Sequence, residues 1–152
     1  MNELKARILI IGVGNPSRRD DAVGLVVARA LRARNLKHIE IIELSGEGAA
    51  LLEAWQGAER VVIVDAMQSG AAPGTILRFE AHRQRIPTKF FRYSTHNFGL
   101  AEAIELGRAL GQLPQELIVY GIEGKDFSLG EGLSPEVASA ISQVLEKILA
   151  EL

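Results

Sequence analysis

The sequence predicts an α/β protein with a mostly parallel sheet. Short, β-branched apolar runs recur along the chain, and stretches with helical apolar spacing alternate with them. Ionisable residues stand where several of those runs end, as expected where strands hand over to helices along one rim of an open sheet.

Residues 7–24 set the pattern. Residues 8–11 (Ile-Leu-Ile-Ile) read as a strand buried on both faces. Gly12, Gly14, Asn15 and Pro16 then require a tight turn. Val23, Val26, Val27, Ala30 and Leu31 follow helical spacing and leave Arg29, Arg32 and Arg34 to solvent. Asp20 and Asp21 fall at the predicted helix start, where the helix dipole and unpaired backbone N–H groups favour carboxylates. Gly12-Val13-Gly14 also begins a dinucleotide fingerprint, and Glu43 closes the next strand at a plausible distance. Ser17 occupies the third glycine position, and paired carboxylates would repel a pyrophosphate, so this pattern argues against nucleotide binding.

Composition sets the outer limits. A chain of 152 residues suits one domain over 1–152 with a sizeable core. A net charge of −2 gives no reason to expect nucleic acid or an anionic membrane as partner. The absence of cysteine excludes disulfides, thiolate metal ligands and a cysteine nucleophile. No apolar run reaches the length of a membrane span and no signal peptide is apparent, so the expectation is a cytoplasmic protein. No long exposed apolar stripe calls for a partner copy, and a monomer is expected.

The remaining elements follow in order. Residues 38–43 alternate and end in acid, as in a strand near a sheet edge. Ser45, Gly46 and Gly48 turn the chain, and Gly48, Leu51, Leu52 and Trp55 mark one face of a short helix. Residues 60–66 form the clearest buried strand, with Asp65 at its C-terminal end. Pro73-Gly74 precedes a further edge strand at 75–79. Residues 80–95 read as irregular, with His82, Arg83, Arg85, Lys89 and Arg92 among Phe90, Phe91 and Tyr93. That mixture can stack single-stranded nucleic acid, but a solvated loop or protein-docking surface suits this acidic chain better. Ser94 or Thr95 is expected to cap a helix opening near His96 that buries Leu100, Ile104 and Leu110. Residues 116–122 form a core strand. Ser134-Pro135-Glu136 starts the last helix, whose inner face carries Val137, Ile141, Val144, Leu145, Ile148 and Leu152.

Three residues remain at handover points: Asp21 after the first strand, Asp65 after the third and His96 at the expected helix start. In a doubly wound sheet they converge on one rim. Two carboxylates and an imidazole suit a borderline divalent ion such as nickel or zinc and leave coordination positions open. Each also has an ordinary reading as a turn or cap residue. No Gly-x-Ser-x-Gly occurs, and Ser94 and Ser134 are explained as caps. Glu123 and Asp126 are candidates for the rim, Asp126 more readily as a turn residue, and His38 and His82 read as surface histidines.

The ordered motifs sharpen this reading. Gly-Val-Gly-Asn-Pro-Ser-Arg-Arg-Asp-Asp-Ala-Val-Gly, Val-Val-Ile-Val-Asp-Ala, Ala-Pro-Gly-Thr, Ser-Thr-His-Asn-Phe-Gly-Leu and Gly-Ile-Glu, with Gly-Leu-Ser-Pro before the last helix, together resemble the hydrogenase maturation endopeptidases. The resemblance covers nearly the whole chain. It implies a three-layer α/β/α fold around a twisted, mostly parallel five-stranded sheet with one reversed strand. It implies removal of a C-terminal extension from a nickel–iron hydrogenase large-subunit precursor after nickel insertion. The family's three metal-contacting positions match Asp21, Asp65 and His96, which would also be its catalytic residues here. Nickel would be carried by the substrate and completed by these side chains, not permanently bound. Two features depart from the family. The first acid, glutamate in some members, is the shorter Asp21, and an Asp-Gly-Gly-Thr stretch is replaced by Glu43-Leu-Ser-Gly, with Glu43 in the place of the aspartate. Two other readings predict different behaviour. A zinc-dependent small-substrate hydrolase would purify with stoichiometric metal, and a nickel-dependent chaperone would bind the subunit without cleaving it.

Overall fold

A computed structural model describes residues 7–91 and 96–152. The strands are β1 (Ile8–Val13), β2 (Ile39–Leu44), β3 (Arg60–Met67), β4 (Ile76–Glu80) and β5 (Glu116–Glu123). The helices are α1 (Val23–Arg32), α2 (Gly48–Trp55), α3 (Leu100–Ala109) and α4 (Pro135–Glu151). The strands form one five-stranded sheet in the order β2-β1-β3-β5-β4. Only β4 is reversed, pairing antiparallel with β5. The expected mostly parallel α/β fold is therefore the one observed.

Strand alternation sorts the core into two halves. Ile10, Val62, Val64, Ala66, Ile118 and Tyr120 face α1 and α4, where Val23, Val27, Leu31, Val137, Val144 and Ile148 are buried. Leu9, Ile11, Val61, Ile63, Met67 and Val119 face α2 and α3, where Leu51, Trp55, Leu100 and Ile104 close the other layer. Each fully buried aliphatic side chain contributes about 1.5–3 kcal/mol. By the same alternation Asp65, between Val64 and Ala66, belongs to the α2/α3 side.

The topology also fixes where a ligand can enter. From β1 the chain runs outward to β2 in one direction, then returns to β3 on the other flank of β1. The carboxyl ends of β1 and β3 therefore border the switch point of the sheet, the crevice that open α/β sheets use for ligands.

Several elements differ from the sequence expectation. Asp20 and Asp21 lie in a separate 3₁₀ turn, Arg19–Ala22, and not in the first turn of α1. Helix α3 begins at Leu100 and not near His96. Its Gly99 N–H donates to Glu102 Oε1 at 2.9 Å, so the glutamate three positions on ties down the helix start. The expected caps Ser94 and Thr95, with Arg92 and Tyr93, lie outside the described residues. Leu110 falls past the end of α3 and is 57% exposed, contrary to the expected burial. His82 is half-buried, not a surface residue: its Nδ1 accepts the Leu117 N–H at 3.0 Å, extending the β4–β5 pairing by one contact. His38 is exposed, as expected.

Candidate active site

Above the carboxyl ends of β1 and β3 lies a small cleft lined by Val13, Asp21, Ser45, Gly46, Asp65, Phe91 and Leu100. Val13 ends β1, and Asp65 stands near the carboxyl end of β3, buried opposite Gly121 of β5. Asp21 comes from the 3₁₀ turn after β1 and is 9% exposed. Gly14 makes this placement possible, because a Cβ there would collide with the Asp21 carbonyl oxygen. The second glycine of the Gly-x-Gly pair thus makes room for the Asp21 backbone.

His96 is half-buried in the loop before α3. A Cβ added to Gly46 would lie 4.0 Å from its Cδ2, which puts the imidazole against the glycine wall of the cleft. Its charge also reaches Asp21. Asp21, Asp65 and His96 therefore come to one end of the sheet, from three separate segments. Among the described residues, no three His, Asp or Glu side chains already stand as a closed metal-binding group.

The electrostatics of the paired aspartates diverge sharply. Burial pushes the Asp21 carboxyl up to about 6, against the opposing pulls of the Asn15 backbone N–H, Arg18 and His96. At pH 7 it is mostly ionised, yet more basic than an ordinary carboxylate. Asp20 is fully buried, which alone would raise its pKa, but its hydrogen bonds outweigh burial and hold it below the usual range. Its Oδ2 accepts the N–H groups of Lys125 and Asp126 at 2.8 and 2.9 Å and the Ser134 hydroxyl at 2.9 Å. Its Oδ1 accepts the Ser134 N–H at 2.7 Å. Asp20 thereby ties the 3₁₀ turn to the β5–α4 loop, and the Ser134 hydroxyl expected to cap α4 is turned to it instead.

The other acidic candidates are also committed to structure. Glu43 accepts hydrogen bonds from Arg29 and Arg32 of α1 at 3.0 and 2.9 Å, on the outer edge of the sheet. It does not line the cleft. Glu123 is buried, and its carboxylate accepts the Ser69 N–H at 3.0 Å and the Ser69 hydroxyl at 2.5 Å, fastening the β3–β4 loop. Asp126 accepts the Ser128 N–H at 2.9 Å and is exposed, the turn role expected of it. Phe90 and Phe91 pack on Phe79, with ring centroids 6.4 Å away in each pair. Phe91 is buried and also lines the cleft.

Sequence reasoning missed Glu47. It caps α2, accepting the Ala49 and Ala50 N–H groups at 2.9 Å each, and those bonds hold its carboxyl below the usual range. Its charge also interacts with His96. The available signal was an acid immediately before the short helix of residues 48–55.

With this geometry in place, comparison with known proteins is specific. The family model for hydrogenase maturation protease matches residues 25–151. The hydrogenase 2 maturation protease of Escherichia coli is 34% identical over 152 residues, covering 96% of this chain and 90% of that protein. A putative hydrogenase maturation protease of Methanocaldococcus jannaschii is 32% identical, covering 97% of each. The E. coli hydrogenase maturating endopeptidase HybD superposes with a TM-score of 0.79 at 30% identity, covering 96% of this chain and 91% of that one. The fold matches that of HybD, and the chain belongs to the hydrogenase maturation protease family.

Proposed function

We propose that this protease removes the C-terminal extension of a nickel–iron hydrogenase large-subunit precursor after nickel insertion, recognising the nickel on its substrate. The observation that carries this reading is the meeting of Asp21 and Asp65 in one cleft at the sheet's switch point, with His96 against its wall. Two carboxylates and an imidazole are suitable donors for nickel, and no thiolate is available in the chain. Such a set binds a free ion modestly, so the precursor's own ligands would supply the rest of the coordination. A precursor without nickel would then be held too loosely to cleave, and recognition doubles as a check on maturation.

The chain's own residues account for the hydrolytic step. Asp21 is suited to accept a proton from an attacking water and to pass it to the leaving amine as the peptide C–N bond breaks. Asp65 contributes a second carboxyl group to the same cleft.

Intact-mass analysis of a precursor, nickel-loaded and nickel-free, tests the reading. Loss of one discrete C-terminal peptide from the loaded form alone is expected. Equal cleavage of both forms contradicts the recognition role of nickel, and an intact loaded precursor contradicts the protease assignment for that client. Binding without cleavage would place the chaperone reading ahead.

A further inference from the structure

The segment carrying His96 is pinned to the rim at two points. The Gln68 N–H, just beyond β3, donates to the Phe90 carbonyl at 2.8 Å. The Gly48 N–H, at the first residue of α2, donates to the Phe98 carbonyl at 2.8 Å, two residues after His96. This second pin demands a glycine. A Cβ at position 48 would fall 2.5 and 2.6 Å from Cδ2 and Cε2 of the Phe98 ring and 2.8 Å from the Phe98 carbonyl oxygen. Those separations are far inside ordinary contact, and one of the atoms belongs to the backbone.

Nothing in α2 itself asks for glycine at this position. Residue 48 is helical, and alanine is the better helix former there. Its first-turn N–H has no partner within the helix and is free to hold another segment. Two residues earlier, Gly46 lies beside the His96 ring, where an added Cβ would stand 4.0 Å from Cδ2. A Cβ on Gly99 would in turn lie 3.8 Å from the Gly46 carbonyl oxygen. The 46–48 and 96–99 segments thus lie backbone against backbone.

We propose that Gly48 is a positioning residue for His96: its bare backbone receives Phe98 and so sets the imidazole at the cleft. The proposal rests on the reading of His96 as a ligand of the substrate's metal. The chain has three histidines, so ring carbon–proton correlations can be assigned one by one through single substitutions. In Gly48→Ala the His96 resonances are expected to shift while those of His38 and His82 keep their wild-type positions. Cleavage of nickel-loaded precursor is expected to fall by about tenfold to a hundredfold, the scale of an ångström-sized misplacement. Unmoved His96 resonances, or a shift with undiminished cleavage, would overturn the proposal. If Gly48→Ala does not fold, Phe98→Leu reads the same contact from the other side: a shift confined to His96 supports the proposal, and unchanged resonances overturn it. Wild-type protein that cleaves no loaded precursor counts against the proposed function, and the His96 resonances still test the seat.

Discussion

Asp21→Asn is expected to lower cleavage of nickel-loaded precursor by about 10²–10⁴-fold, the range for loss of a catalytic acid–base group, and at the same time to stabilise the fold. The two effects have one cause. Burial raises the Asp21 carboxyl from its ordinary 3.8 to about 6, so the ionised form is the less welcome one in the folded protein. Between those values the folded state binds more protons than the unfolded state, and stability therefore falls as pH rises through the window. Above it the deficit is complete, on the order of 1–3 kcal/mol. Asparagine carries no charge and can still accept the Asn15 N–H. The variant's melting temperature should match wild type near pH 4 and exceed it by several degrees at pH 7.5. A lower melting temperature at pH 7.5 would contradict the account of this site.

Asp20→Ala should do the reverse, one residue away. It removes the acceptor for four donors, on Lys125, Asp126 and Ser134. Bonds to a buried carboxylate are stronger than neutral ones, although water can replace those at exposed Lys125 and Asp126. A loss of about 3–5 kcal/mol is expected, read by urea denaturation. The sign of the pH dependence also inverts. A carboxyl held below its usual range stabilises the fold above its unfolded pKa, and that contribution disappears as pH falls through the lower, folded value. The wild-type advantage over Asp20→Ala should therefore shrink in acid. An equally stable variant at neutral pH would rule out Asp20 as the tie between the two loops.

The contrast between these neighbours shows where sequence reading stops. In the sequence they are two acids beside a helix start, equally suited to its dipole. What separates them is a set of partners 105 to 114 residues away, which no local pattern announces. Strands β1, β3 and β5 were legible because a strand buried on both faces is apolar throughout, and α1 and α4 because one face repeats at helical spacing. Asp21 and Asp65 could be selected because strand ends in such sheets converge. The start of α3 could not be placed, since Ser94 and Thr95 offer better capping chemistry than Gly99, and only Glu102 marks the true boundary. Glu43, which stands in the place of a family aspartate, is held by Arg29 and Arg32 on the outside of the sheet, pairings that no local pattern announced.

The central claim is that Asp21, Asp65 and His96 act together on a nickel-bearing precursor. Its most direct test is the intact mass of a nickel-loaded hydrogenase large-subunit precursor after incubation with wild-type protein or with the His96→Ala variant. The account predicts loss of one C-terminal peptide with wild type and a full-length precursor with the folded variant. Cleavage by both at similar rates would contradict it.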